Sequence, residues 1–327
     1  CSPVPIRFRQ MPGLTKLGAV FGGLLAAIGL SALLLPGISN ADQDGSKPSH
    51  SHAHKHDKPI GAAAAAQLPI FDAHIHYKEP AWRPFPPHTI LELMDNNGVA
   101  MGLVSSTPDE GTIMLLKAAP NRIVPELRPY HGDAGSSNWT QTLGMKNYLV
   151  RRLDEYPHEG IGEFHLHRID TADKDLLKSV TEMALARDIP LHVHSGAEPV
   201  SVLFEMAPEV TIIWAHAGMS EPPEVIEALM GRHTRLFADT SFRERDILVA
   251  DDKLDDVWRA LLMRFADRFM VGTDTWVNGQ WENYGGLISM NRQWLSLLPQ
   301  KIAEQIAYQN AEKLFGRKIS LKQIGTR

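Results

Sequence analysis

Cysteine is almost absent: the chain of 327 residues has one, Cys1, at its very start. The remainder can form no disulfide and offers no thiolate nucleophile or ligand, so any metal must be held by nitrogen and oxygen donors. Cys1 also precedes the long apolar run, the wrong side for a lipoprotein cysteine. An excess of positive charge is missing too. Lys and Arg number 33 against 38 Asp and Glu, a net charge of −5, so there is no basic stripe and no nucleic-acid partner is expected. No internal repeat is visible. The hydrophobic share of 43% and charged share of 22% are ordinary globular values. Length by itself does not separate two domains from one α/β barrel of about 250 residues.

The first part of the chain has its own character. Arg7, Arg9 and Lys16 precede an apolar run over residues 17–35, followed by Pro36-Gly37 and the small residues Ser39-Asn40-Ala41. This order predicts a secretory signal peptide over residues 1–41, a periplasmic location, and no stable membrane anchor after cleavage. The competing reading is an anchor through residues 17–35, since the run nearly spans a bilayer. Its four glycines and small-residue exit favour cleavage. Residues 42–67 are polar and simple, with His50, His52, His54 and His56 in alternation before an alanine run. They predict a disordered linker. The alternating imidazoles suit either loose capture of Zn²⁺ or Cu²⁺ or a solvated spacer without a metal role.

From Leu68 the pattern becomes regular. Short apolar segments near 69–75, 99–105, 122–128, 160–166, 189–194, 210–215, 234–240 and 268–273 predict eight strands. Between them apolar residues recur at helical spacing, as in Leu176-Leu177-Val180-Met183-Ala184. Eight strand–helix alternations predict an α/β fold, a distorted (β/α)₈ TIM barrel over residues 68–316, with closing helices over 287–314 and a tail over 317–327. Such a barrel builds its active site at the C-terminal ends of its strands.

Five segments place metal-binding side chains at those ends: Phe71-Asp-Ala-His74-Ile-His76, Gly160-Ile-Gly-Glu163, Leu191-His-Val-His194, Ile213-Trp-Ala-His216 and Val271-Gly-Thr-Asp274. His74 and His76, two apart on a strand, face the same way and can share one ion. Asp72 has the same parity but lies deeper, which suits orienting a ligand better than being one. His192 lies one layer below His194 and reads as a satisfied core histidine. Asp274 can bind a metal and also accept a proton from water that the metal acidifies from a pKa of about 16 towards neutrality. Glu163 has two readings, a carboxylate bridging two ions or the buried partner of Arg128. His165 and His167 share its parity and could be ligands or substrate contacts.

At these residues the chain resembles the amidohydrolase superfamily, in its amidohydrolase-related branch, over about residues 68–316. The closing Asn310-Ala-Glu-Lys-Leu-Phe-Gly316 is similar to that branch's last helix. The resemblance implies a metal-dependent TIM-barrel hydrolase with one or two divalent ions, usually zinc. Carried over, His74, His76 and Asp274 would hold the first ion, and His194 and His216 the second, with Glu163 bridging. In one-metal members His194 joins the first set, and the residue at His216 positions or polarises water or substrate. No strand-four lysine is placed for carbamylation, so a carbamate-bridged site is not expected.

The leading expectation is therefore an exported hydrolase of a small-molecule ester, lactone, amide or phosphoester, with Asp274 and His216 catalytic. Arg128, His165 and Trp276 are the expected substrate contacts. A non-oxidative decarboxylase or hydratase is the alternative; it needs a cationic clamp, for which Arg128, Arg168 and Arg243 are candidates. A non-catalytic zinc-binding protein is a third reading, and a carboxylate at Asp274 argues against it.

Overall fold

In a computed structural model, residues 58–319 are described. The expected signal peptide, the four alternating histidines and residues 320–327 lie outside the described residues. Eight parallel strands form one sheet in chain order: β1 (Ile70–His76), β2 (Val99–Ser105), β3 (Ile123–Leu127), β4 (Gly160–His165), β5 (Leu191–His194), β6 (Ile212–Trp214), β7 (Leu236–Asp239) and, after a small hairpin, β10 (Phe269–Met270). The sheet curls until its ends meet: the Ala73 N–H donates to the Val271 carbonyl at 2.8 Å, and the Asp274 N–H to the His74 carbonyl at 2.7 Å. That seam makes a distorted TIM barrel. All eight strands lie where the apolar segments placed them, although the last is shorter than residues 268–273. The hairpin β8 (Leu248–Ala250) with β9 (Lys253–Leu254) is an addition after β7 that the apolar pattern did not signal.

The helices follow from their sequences. The helix Lys174–Arg187 starts where the Asp173 carboxylate accepts from the backbone of Asp175 and Leu176, at 3.0 and 3.1 Å. It buries Leu176, Leu177, Val180, Met183 and Ala184, one stripe at helical spacing. At the other end of the barrel a smaller cluster of Phe71, Met101, Leu103, Val124, Ile213 and Met270 fills the interior. The helix Asn310–Phe315 packs on it, with Phe315 stacked on Phe71 at 5.7 Å between ring centres. A layer of apolar side chains thus closes the floor below the polar residues.

Two expectations change. Residues 58–67, assigned to the linker, are packed: Ile60 and Gly61 donate to the carbonyls of Leu298 and Ser296, Ala65 is buried, and Arg292 donates to the carbonyls of Ala65 and Leu68. The alanines form a short helix, Ala62–Ala65, and one methyl against the barrel plus backbone hydrogen bonds order a stretch that has no apolar stripe. Asp72 also departs from its expected parity, because the register of β1 shifts between Asp72 and Ile75. Its carboxylate meets Thr273 and Tyr284 rather than an imidazole ring.

Candidate metal centre

The C-terminal ends of β1, β4, β5 and β6 and the segment after β10 converge on one point. His74 and His76 bring their Nε2 atoms to 3.1 Å of each other. Asp274 Oδ1 lies 3.4 Å from His74 Nε2 and 3.1 Å from His76 Nε2. Across the barrel, His216 Nε2 is 3.2 Å from His194 Nδ1. Glu163 spans the two groups, with Oε1 2.7 Å from His194 Nδ1 and Oε2 3.3 Å from His76 Nε2. All six expected ligands are thereby brought together.

The donor chemistry fits a cation. The Asp239 carboxylate can only accept, so His74 Nδ1, 3.1 Å away, carries the hydrogen and its Nε2 presents a lone pair. His216 follows the same logic: Nδ1 faces the Ser241 carbonyl at 3.2 Å and its hydroxyl at 2.8 Å, leaving Nε2 bare. The Ser241 hydroxyl is free to accept because its own hydrogen goes to Asp239. Ser105 Oγ holds His76 Nδ1 at 2.8 Å. Bare nitrogens and carboxylate oxygens pointing at one another repel unless a positive ion lies between them. Two nitrogens on one tetrahedral zinc would stand about 3.3 Å apart, close to the His74–His76 spacing. His74, His76 and Asp274 form one group able to hold an ion; Glu163, His165 and His194 form another.

Charge points the same way. Burial lowers the His74 pKa against the pull of Asp274 and Asp239. Burial opposes ionisation of Glu163, but the imidazoles of His194, His216 and His76 that face it and the charge of Arg128 hold it well below the usual carboxylate range. Asp274 is likewise held ionised against burial by His74 and His76. Glu163, Asp239 and Asp274 raise His216 despite burial, so the site favours positive charge at its Nε2, whether from a proton or from a metal ion. Three buried carboxylates thus draw positive charge into the centre.

Beneath it lies a layer of which the sequence anticipated only His192, as a satisfied core histidine. Asp239, the last residue of β7, contacts His74 Nδ1, the His216 N–H and His192 Nε2. His192 has Glu126 on its other nitrogen at 3.2 Å. Burial opposes its charge, yet the two carboxylates push its pKa up to about 10. The two carboxylates favour a charged His192, which balances Asp239. Asp239 ends the apolar run Leu236-Phe-Ala, so the strand-end rule that picked out the other five segments also applies to it.

Local backbone geometry supports the centre. Gly162 has φ +149°, and a Cβ there would stand 2.3 Å from the His192 carbonyl oxygen. His216 and Asp274 adopt left-handed φ values of 57° and 48°, uncommon for residues with a Cβ and concentrated at functional sites.

A cavity of about 620 Å³ opens above the centre, lined by Glu163, His165, His194, Asp274, Tyr130, Phe242 and Trp276. Arg128 also lines it, but its guanidinium donates to the Glu163 carbonyl at 2.9 Å and to Glu163 Oε2 at 2.8 Å. Both readings of Glu163 therefore coexist in one side chain. His165 is held by Tyr130, and burial pushes its pKa down to about 3. Trp276 stands at the rim, 49% exposed, with the Lys78 ammonium 5.7 Å from its ring centre. Arg168 pairs with Asp170 on the surface, and Arg243 pairs with Asp246; neither lines the cavity. Trp281 and Tyr284 are buried packing residues.

The amidohydrolase family model matches residues 144–317, just over half the chain. No curated protein matches the sequence. Among solved structures, a Pseudomonas putida protein proposed to be a 2-pyrone-4,6-dicarboxylic acid hydrolase is similar, with 15% identity over 77% of this chain and 99% of that one and a TM-score of 0.53. A dihydroorotase from Campylobacter jejuni has 14% identity over 77% of this chain and 84% of that one, with a TM-score of 0.51. The phosphotriesterase homology protein of Escherichia coli has 10% identity over 79% and 99%, with a TM-score of 0.53. At these identities the likeness is one of fold.

Proposed function

The chain belongs to the amidohydrolase family of metal-dependent hydrolases, and we propose that it cleaves an ester, lactone, amide or phosphoester bond of a small molecule, with two divalent ions at the centre described above. The observation that carries this reading is the convergence of the imidazole nitrogens of His74, His76, His194 and His216 with the carboxylates of Glu163 and Asp274 on the floor of an open cavity. When bound, a divalent ion acidifies water and polarises a carbonyl or phosphoryl oxygen; zinc suits the nitrogen-rich donor set.

The protein's own residues supply the rest. His74, His76 and Asp274 would hold one ion, His194 and His216 the other, with Glu163 between them. Asp274, ionised at neutral pH, takes the proton of the attacking water and passes it to the leaving group as the scissile bond breaks. Arg128 neutralises the bridging carboxylate from behind. Phe242 and Trp276, exposed at the cavity rim, present apolar faces to the body of the substrate. The lyase alternative loses weight because Arg128 is committed to Glu163, and Arg168 and Arg243 stand outside the cavity.

Export rests on the sequence of residues 1–41. Its test is N-terminal sequencing of the protein recovered from a periplasmic extract, with Asp42 the expected first residue. The hydrolase reading is tested on the purified chain supplied with zinc, by elemental mass spectrometry and a panel of lactones, aryl esters, amides and phosphoesters. About two zincs per chain with turnover in the panel supports it; a folded protein without metal overturns it.

A further inference from the structure

Two exposed apolar side chains stand on one wall of the reaction cavity. Met219, on the loop after β6, and Phe242, on the loop after β7, are 37% and 46% exposed, and both line the cavity that Glu163, His194 and Asp274 also line. We infer that Met219 and Phe242, held in place by Arg243, form a subsite that selects substrates carrying an uncharged apolar group of phenyl size next to the scissile bond. The inference rests on the hydrolase reading above and names a substrate class for it.

Phe242 sets the position of this wall. Its ring lies 5.5 Å, centre to centre, from the His216 imidazole, so the wall borders the centre itself. Exposure alone would carry little, because single apolar side chains are common on surfaces. Here, however, both residues sit on backbone that disfavours them. Met219 is the middle residue of a three-residue turn in which the Ser220 N–H donates to the Gly218 carbonyl at 2.8 Å. Its φ of 58° and ψ of −74° are the rare, strained form of that turn. Phe242 is third in a turn that the Arg243 N–H closes on the Thr240 carbonyl at 3.0 Å, and its φ is 62°, where such turns favour glycine or asparagine. Neither side chain is buried, so packing within the protein does not offset the strain, whereas contact with a bound apolar group does.

Arg243 holds the two strained segments. Its buried guanidinium donates to the Met219 carbonyl and, at 2.9 Å, to the Glu221 carbonyl. It also pairs with Asp246 at 2.8 Å and lies over the Trp258 ring, 4.7 Å from its centre. Because Arg243 directly follows Phe242, one side chain ties the backbone of both apolar residues together. The Glu221 carboxylate extends the tie to the loop after β5 by accepting the Ala197 N–H at 2.8 Å. With its donors committed to carbonyls and Asp246, Arg243 offers no charge to the cavity, and the wall in front of it suits an uncharged group. Arg243 is therefore a positioning residue rather than the carboxylate clamp that its charge suggests.

The test uses the zinc-loaded chain and pairs of panel substrates that differ only by a phenyl group in place of a methyl group. It reads the ratio of their kcat/KM values, each normalised to the rate of hydroxide hydrolysis. The wild type should prefer the phenyl member by about tenfold or more in the bond class it cleaves. Met219→Ala and Phe242→Ala, both at exposed positions, should each cut that preference about fivefold, mainly through KM. Arg243→Lys keeps the buried charge but has one nitrogen for two carbonyls, and should cut the preference similarly with zinc content unchanged. A wild-type ratio near one, a preference that survives both alanine variants, or an equal loss for both members of a pair would overturn the subsite and leave the hydrolase reading standing. The full wild-type preference in Arg243→Lys would overturn the positioning role. A zinc-loaded wild type inactive across the whole panel would overturn both the subsite and the hydrolase reading.

Discussion

Asp239 and His74 meet at 3.1 Å, carboxylate to Nδ1, and this contact decides which nitrogen of His74 faces the centre. Such a carboxylate behind a ligating imidazole fixes its tautomer and raises its basicity. Asp239→Asn should therefore weaken zinc binding by about 10–100-fold, read by competition with a chromogenic chelator. Because Asp239 also balances His192 and accepts the His216 N–H, its loss should be felt at both metal positions. Unchanged zinc affinity would show that the contact does not set the ligand.

Glu163 and Asp274 should separate by stoichiometry and rate. Glu163→Gln removes the carboxylate that spans the two groups, and zinc content should fall from about two per chain to about one. Asp274→Asn should keep more metal but lose about 10²–10⁴-fold in kcat, because the proton acceptor is gone. Equal zinc content in wild type and Glu163→Gln would place Glu163 outside the coordination.

Lys78 directs a cation into a cavity whose arginine is already paired, and among the described residues it makes no ion pair. Lys78→Met should raise KM by about tenfold for substrates that carry a carboxylate, the worth of one charge-assisted hydrogen bond. Matched uncharged esters should be unaffected. A uniform change across both sets would show that Lys78 only shapes the rim through Trp276.

Glu244 supplies a pH test of stability away from the ligands. Burial is the main cause that pushes its pKa up to about 7, with the nearby Asp239 charge adding to it. The unfolded side chain ionises near pH 4.3, so between about pH 4.3 and 7 the folded state binds more protons than the unfolded one. Stability is then greatest below that window and falls as pH rises through it, by on the order of 3 kcal/mol. Urea unfolding of chelator-treated protein should show this decline in the wild type and a flatter profile in Glu244→Gln. Parallel profiles would mean that Glu244 does not carry the effect.

Much of this architecture was legible along the chain because it depends on periodicity. Apolar segments of strand length, alternating with helical stripes, specify a barrel wherever each strand must be buried on both faces. The two-residue spacing of His74 and His76 specifies a shared face wherever β1 is regular between them. These are local consequences of backbone geometry, and they hold without knowledge of neighbouring strands. The tertiary structure alone decided what depends on contacts between strands far apart in the chain. Glu163 meets Arg128 and His194 at once because β3, β4 and β5 lie side by side; no spacing within β4 distinguishes a bridging carboxylate from an ion-paired one. Asp72 turns away from the imidazoles because the pairing of β1 with β2 shifts register. Asp239 becomes the partner of His74 across 165 residues only when the barrel closes. The sequence states which side chains stand at the strand ends, since that is a matter of period. Which of them touch is a matter of register and closure, and those are set by the packing of the whole barrel.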